Sequence, residues 1–567
     1  MSATNFREIP FNYTSADDRQ AVIGLLGNEV WDRLEQLRKR RVTGRSARLL
    51  MRVLGELLVH QRNPYLFEEL IGSQKRRRAL YRRIESDLAV IERNASEPMV
   101  AGVLAACREA VARFQRVVAQ APAARVRVRD ALGAVIGREN VLFDPFTIVS
   151  HATDATDWRL HLPLAVAMPM HEAQVAPLLA TIASLGLHAI PRGAGTGLTG
   201  GAVPLRPGCV MVNTEKLNRI HGVEKHDFVA PDGRWTRGHV MRLEAGVITE
   251  AAMEYAAERG LVFATDPTSA WACTIGGNIA ENAGGKTAVL WGTCIDNLLS
   301  WNIALPSGKA WTVRREAHPL RKILHDDVVR WTVLDGEGNA VRSIELRGDE
   351  IRRRGLWKDI TNKALGGLPG MQKEGTDGVV TSAEFVLHPA YESSRTLCLE
   401  FFGPDMDEAS RVILQLARAF PNEGREVLQA LEHFDDEYVR AINYEVKAPR
   451  SETPKAVLLV DVVGHSDDEV ARGVARVQKI VDEHGDTELF AARDAAEAKR
   501  FWADRKKLGA IAARTNAFKL NEDIVLPHDA LAEFARFCDL VNVDEERHNQ
   551  LAILDAIGAA LRDAEPP

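Results

Sequence analysis

The sequence predicts an α+β protein preceded by an all-helical region, and three observations predict it. Up to about residue 140, apolar side chains recur at helical intervals. From Val141 onward, short apolar runs of strand type alternate with amphipathic helices. Three stretches rich in Gly, Thr and Asn interrupt that alternation, at 191–201, 264–285 and 374–381.

In the helical region, Val22, Leu25, Val30, Leu34 and Leu37 mark one helical face, and Leu49, Leu50, Val53, Leu54, Leu57 and Leu58 another. Residues 80–91 and 99–118 keep the same period. Pro122, in an Ala-rich patch, marks a joint. Between Arg33 and Arg93 there are 16 Lys/Arg against 7 Asp/Glu, a local balance of +9 in a chain of net charge −6. Basic runs at 38–41 and 75–78 lack interleaved aromatics, so solvated helix faces are expected rather than nucleic-acid contacts. Docking of this basic region to a partner surface stays open.

The chain of 567 residues is long enough for roughly three to four domains of about 150 residues. Hydrophobic content of 46% and charge of 26% are those of an ordinary globular protein. No apolar run approaches the ~18 residues of a membrane span, and the start lacks the pattern of a secretory signal. Six scattered cysteines without a C-x-x-C pair argue against an iron–sulfur or zinc-ribbon site within the chain and fit a reducing compartment. The expected location is cytoplasmic, with peripheral attachment at the inner face of the membrane left open.

After Val141, strands are expected at 162–169, 188–190, 209–213, 241–247, 298–305 and 383–387, with helices at 172–185 and 249–259. Residues 313–365, dense in charge, suggest an irregular surface insertion. From Ser393 the order strand, helix, strand, helix resembles a split β-α-β unit: strands at 397–402 and 456–463, helices at 406–419 and 467–484. A helix at 497–513, a strand at 518–527 and two helices, 530–541 and 550–561, complete the expectation.

The stretch Pro191-Arg192-Gly193-Ala194-Gly195-Thr196-Gly197-Leu198-Thr199-Gly200-Gly201 holds five glycines in eleven residues and no acid. Such a loop lets backbone N–H groups approach a phosphate. Its Gly195-x-Gly197-x-x-Gly200 spacing matches a dinucleotide fingerprint, but that glycine loop must open a helix. Pro204 and Pro207 exclude one, so a loop between two strands is expected. Taken alone, it is equally a plain glycine-rich turn. The second stretch, of similar composition, suggests one elongated polar ligand held from two sides.

Taken together, PRGAGTGLTGGAVP at 191–204, DPTSAWACTIGGNIAENAGG at 266–285, WGT at 291–293 and EGTDGVVT at 374–381 resemble the FAD-linked oxidases of the vanillyl-alcohol-oxidase/para-cresol-methylhydroxylase (PCMH) type, in particular the D-2-hydroxyacid dehydrogenase and glycolate oxidase large-subunit group. The resemblance covers roughly residues 145–527. It implies an all-helical extension over 1–140, a PCMH-type FAD-binding domain of two α+β subdomains over 141–390, and a partial α+β cap or substrate domain over 391–567. It places FAD between the subdomains, with Arg192, Gly193, Ala194, Gly195, Thr196 and Gly197 around the pyrophosphate. Asp266, Thr274, Gly276, Gly277 and Asn278 would line the pyrophosphate, ribityl chain and flavin ring, with Ala283 and Gly284 near them. Gly375, Gly378 and Val379 would meet the adenosine half. Non-covalent attachment is implied, because Pro191 precedes Arg192 where tethering relatives often have a His.

The reaction implied is oxidation of a D-2-hydroxy acid, of the lactate, glycolate or 2-hydroxyglutarate kind, with electrons passed to a quinone, a cytochrome or an iron–sulfur protein or domain. Arg505, in Phe501-Trp502-Ala503-Asp504-Arg505, matches the family's W-x-x-R position, and Lys519 lies near a second basic one; a bidentate Arg–carboxylate contact would orient the substrate. The sequence departs from the family after the D-x-x-x-P strand at 523–527. No G-H-x-G-D-G-N-x-H segment follows, and His548 stands alone, so no metal ligands are assigned. The expectation is a shortened form of a larger protein, either active or a flavin-binding subunit that needs a partner to supply the metal and histidine site. No nucleic-acid partner is implied, and homodimerisation is left open.

Overall fold

The computed structural model describes residues 18–39, 44–93, 98–156, 158, 160–230, 233–356, 360–420, 424–507 and 524–563. Helices Asp18–Leu26, Asn28–Lys39, Gly44–Arg62, Pro64–Gly72, Gln74–Arg93 and Pro98–Ile136 form the N-terminal region. Their apolar stripes meet in one core, with Leu54, Leu57, Ile84, Leu88 and Phe114 fully buried. Asn63 starts one helix by accepting from the N–H groups of Tyr65 and Leu66, with Pro64 in the first turn, where its missing N–H costs nothing. Several basic side chains of this region are paired within it, among them Arg83 with Glu56 and Arg108 with Glu85 and Glu92.

The joint expected at Pro122 is not a break. The helix runs unbroken from Pro98 to Ile136. Its first half gives Phe114 and Val118 to the helical core; its last turns give Val128, Leu132 and Ile136 to the next core. Burial on both sides overrides the lost backbone hydrogen bond.

That next core backs a four-stranded sheet of β1 (Val141–Leu142), β2 (Ala165–Ala167), β3 (His188–Arg192) and β4 (Cys209–Asn213), in the order β1-β2-β4-β3. β4 runs parallel to both β2 and β3, and the helix Val175–Ser184 covers the sheet. The second sheet is antiparallel: β5 (Ile220–Val229), β6 (Trp235–Glu244), β7 (Leu261–Val262), β8 (Leu298–Ala304), β9 (Ala310–Arg315), β10 (Val328–Leu334), β11 (Ala340–Arg347) and β12 (Val379–Pro389). Its order is β11-β10-β9-β8-β12-β6-β5, with β7 on β12. Trp301, Trp331 and Phe385 fill its core.

The stretch 313–365, expected to be irregular, contains the hairpin β10–β11, paired from Val328 to Leu334. Val329, Trp331 and Val333 point inward and Val328 and Arg330 outward, so the strand period is present beneath the charge.

The third sheet comprises β13 (Ser393–Phe401), β14 (Glu426–Asp435), β15 (Ala456–Gly464) and β16 (Thr487–Ala491) in the order β14-β15-β13-β16, all antiparallel. With helices Asp407–Ala419 and Asp467–Val481 packed on it, this is the split β-α-β pattern read from the sequence. The predicted helix at 497–513 is observed over Ala495–Ala503. Of the strand predicted at 518–527, residues 518–523, with Lys519, lie outside the described residues, and 524–527 form no strand. The two predicted terminal helices are one, Leu531–Asp563. An all-helical region thus precedes a mixed helix-and-sheet body.

Candidate functional site

The three glycine-rich stretches meet. β3 ends at Arg192 and delivers the first. The Arg192 guanidinium turns back beneath the loop and donates to the carbonyls of Thr153 (2.7 Å), Ser150 (3.3 Å) and Ala202 (3.4 Å). Burial lowers its pKa; Asp154 and Glu215 act the other way. Gly195, at φ 71°, lies against this guanidinium, and a Cβ there would collide with it. Arg192 is therefore a buttress under the loop, and the loop's backbone N–H groups are what remains to meet an anion. Ala194, Thr196 and Gly197 continue the loop, with the Gly197 carbonyl accepting from Ala155 N.

Gly193 faces Thr274, at the start of the helix Ile275–Glu281; a Cβ on Gly193 would occupy the place of the Thr274 hydroxyl. That hydroxyl is buried and has no hydrogen-bond partner. Asn282 Nδ2, at the other end of the helix, is a second buried donor without one. Buried polar atoms left unpaired cost about 1–3 kcal/mol each, so both fit a ligand that brings acceptor oxygens into the cradle.

The helix also ties the stretches together. Thr199 donates to Glu374 Oε2 (2.9 Å) and Glu281 Oε1 (3.4 Å), joining the first stretch to the other two. Gln372 N and Glu374 N donate to the carbonyls of Ile279 and Ala280. Gly375 abuts Pro191, Gly378 abuts the Ala304 carbonyl, and Val379 opens β12 in the core. Gly276 N donates to Ala245 O, and Gly277 follows it in the helix. Ala283 is held between Asn278 and Cys294, with Gly284 beside it.

Two of the sequence-selected polar residues are engaged internally. Asn278 Nδ2 donates to Thr249 Oγ1 (2.7 Å), and Cys273 Sγ lies 3.4 Å from Asn278 Oδ1. Asp266 Oδ1 accepts from the hydroxyl and N–H of Thr287 (2.8 and 3.3 Å). Burial raises the Asp266 pKa, against the pull of Arg505 and Lys286.

Arg505 reaches from the third-sheet domain to this region. Its Nη1 lies 3.4 Å from Asp266 O and its Nε 2.9 Å from Glu432 Oε2. Beside it, a cavity of roughly 330 Å³ opens where the two domains meet, with Lys286 and Lys322 on one wall and Glu432 and His433 on the other. Sequence reasoning missed these four. Lys286 directly follows the Gly284-Gly285 pair and so carried a local signal; Lys322 lay in the discounted charged stretch, and Glu432 and His433 carried none. Among the described residues no group of three or more His, Cys, Asp or Glu side chains is arranged to hold a metal ion, and no helix is long and apolar enough to cross a membrane.

Comparison with known proteins places three families along the chain. Residues 4–116 match a protein family of unknown function (DUF3683), 163–314 the FAD binding domain, and 394–542 the C-terminal domain of FAD linked oxidases. The glycolate oxidase subunit GlcD of Escherichia coli (strain K12) is 28% identical over 407 residues, which cover 72% of this chain and 69% of that one. The D-2-hydroxyglutarate dehydrogenase of Xanthomonas citri pv. viticola is 25% identical over 386 residues, covering 66% and 69%. Among solved structures, an alkyldihydroxyacetonephosphate synthase matches with a TM-score of 0.48 at 16% identity, over 68% of this chain and 64% of its own.

Proposed function

Because the chain belongs to the FAD-linked oxidases and is an FAD-dependent oxidoreductase, we propose that it oxidises a D-2-hydroxy acid to the 2-oxo acid and passes the electrons to a separate acceptor. One observation carries the choice of substrate class: Arg505 stands at the domain junction, beside the cavity, with its Nη1 only weakly held by Asp266 O. A guanidinium so placed binds a carboxylate through two N–H groups and fixes the neighbouring carbon. Glu432 Oε2 lies 2.9 Å from Arg505 Nε, an ion pair that leaves the Nε–H without a hydrogen bond. Lys519 is proposed as a second cation for the same carboxylate.

FAD, when bound, supplies the two-electron acceptor for the hydrogen on the hydroxyl-bearing carbon. It is proposed to be held without a covalent link by the 193–197 loop, Thr274 and the starts of the helix Ile275–Glu281 and β12. The hydroxyl proton needs a base within reach. His433 lines the cavity and is proposed as that base.

The test is anaerobic mixing of the yellow protein with D- and L-2-hydroxy acids. Bleaching of the flavin band by a D-acid is expected. A folded but colourless protein overturns the reading, and bleaching that appears only when a second protein is added identifies the chain as a flavin-binding subunit.

A further inference from the structure

We propose that the N-terminal helical region is the outer clamp of the FAD site. Through Arg62 and the Glu68–Arg125 pair it holds the segment 143–161 against the glycine loop at 192–200, so that FAD affinity depends on these three residues. This rests on the reading above in one respect, that the 193–197 loop receives FAD.

The segment lies between the helical region and the loop and has little regular structure of its own. Among its described residues the one helix is Pro145–Ser150; turns and irregular backbone follow. Ordering such backbone costs conformational entropy, which contacts on its two sides must offset. On the inner side, the carbonyls of Ser150 and Thr153 accept from the Arg192 guanidinium, and Ala155 N donates to the Gly197 carbonyl (3.2 Å). His151 Nε2 accepts from Asn213 Nδ2 at the end of β4 (2.8 Å). The Trp158 indole lies against Gly200, where a Cβ would sit 3.0 Å from Trp158 Cε3.

The outer side is held by the helical region. Arg62, the last residue of the helix Gly44–Arg62, donates from Nη2 to the carbonyl of Leu160 (3.5 Å). It is half-buried, and burial lowers its pKa. Arg125 Nη1 is paired with Glu68 Oε2 (2.5 Å), and its guanidinium carbon lies 5.6 Å from the centre of the buried Phe143 ring, with that of Arg129 at 5.0 Å. Phe143 directly precedes Asp144, whose carboxylate caps the helix Pro145–Ser150 at Thr147 N (3.0 Å). The link to the cofactor is Arg192. Its guanidinium stays beside Gly195 only while Ser150 and Thr153 present their carbonyls. A shift of the segment releases that cation into the cradle and unsettles the N–H groups that meet the pyrophosphate. Arg62, Glu68 and Arg125 act through the segment, as positioning residues. Arg62 and Glu68 lie within the range of the family of unknown function.

The experiment is a titration of FAD into the flavin-free full chain, read by quenching of flavin fluorescence, with the thermal midpoint of the flavin-free protein measured beside it. No turnover is involved. Arg62→Met and Glu68→Gln are each expected to weaken FAD binding about threefold to tenfold. Arg62→Lys is expected to recover part of the loss, and Arg82→Met, at an exposed position of the same region, to change nothing. In the unaltered chain, FAD is expected to slow hydrogen exchange in Gly44–Arg62 and Pro64–Gly72 more than in the third-sheet helix Asp407–Ala419, because coupling between two sites is reciprocal. A lowered midpoint with unchanged FAD affinity in both variants is the mark of a purely structural role and overturns the proposal, as does exchange in the two helices that is indifferent to FAD. Should the variants not fold, the exchange measurement decides alone. Gly193→Ala separates the clamp from the reading it rests on. Flavin retained by that variant removes the loop from the site; flavin lost there but bound normally by Arg62→Met and Glu68→Gln removes only the clamp.

Discussion

Gly193 and Thr274 belong to stretches eighty residues apart, yet the missing side chain of one makes room for the hydroxyl of the other. Gly193→Ala therefore pushes a methyl group onto Thr274 Oγ1, in the cradle proposed for FAD. Overpacking of this kind costs about 1–3 kcal/mol, which is roughly five- to 150-fold in affinity. The variant is expected to lose flavin on gel filtration, with the flavin-to-protein absorbance ratio as the measure; a full complement of flavin would remove Gly193 from the site. The glycines were legible in the sequence because close backbone approach leaves a local trace in composition. Arg192 was legible as a position but not as an orientation: whether its guanidinium turns toward a ligand or under the loop is decided by the carbonyls of Ser150 and Thr153, forty residues away. Glu432 and His433 were not legible at all, since an ordinary strand pair becomes a cavity wall only once β14 faces the Gly285–Val289 segment.

Among the elements, those whose period is uninterrupted were read well. β15 is a near-continuous apolar run and β13 carries Leu397, Cys398, Leu399 and Phe401 in its second half, and both were placed within a few residues. The failures share a cause, in that a local signal was outvoted by packing. At β10 the charged outward positions hid an inward row of Val329, Trp331 and Val333. At Pro122 a residue that locally breaks helices sits within one, because both flanks of Pro98–Ile136 are buried in different cores. A proline inside a helix costs about 3 kcal/mol. Pro122→Ala is therefore expected to raise stability by up to about that amount, seen as a higher urea midpoint with an unchanged slope. An unchanged midpoint would mean that the helix accommodates the ring without loss.

At the scale of the molecule, the FAD-binding region and the third-sheet domain share buried contacts. Trp291, of the WGT motif that follows the second glycine-rich stretch, packs with Val427 and Val463 of the third sheet and stacks on His388 at 5.2 Å between ring centres. His388 Nε2 lies 2.8 Å from Asn297 Oδ1, and since the Asn297 amide donates to two carbonyls, the imidazole is the donor there. Burial lowers the His388 pKa to about 4, from 6.5 in an unfolded chain. A base with a depressed folded pKa favours the folded state fully above the unfolded value and loses that contribution as pH falls between the two. The loss expected from His388 between pH 6.5 and 4 is roughly 3 kcal/mol. His318, also pushed well below its ordinary value by burial, acts in the same direction. Asp266 opposes them: its raised pKa disfavours the folded state where it is ionised, and protonation relieves this as pH falls. Asp296, lowered by Arg352, holds its contribution until below the ordinary carboxylate range, outside this window. The sum is weaker stability in mild acid, with the weakness centred where the two domains meet. Urea midpoints measured from pH 7 to 4 should fall steeply, and His388→Gln, which keeps a donor for Asn297, should flatten that fall while lowering stability at pH 7. Parallel pH profiles for the two proteins would show that His388 is not the group being titrated.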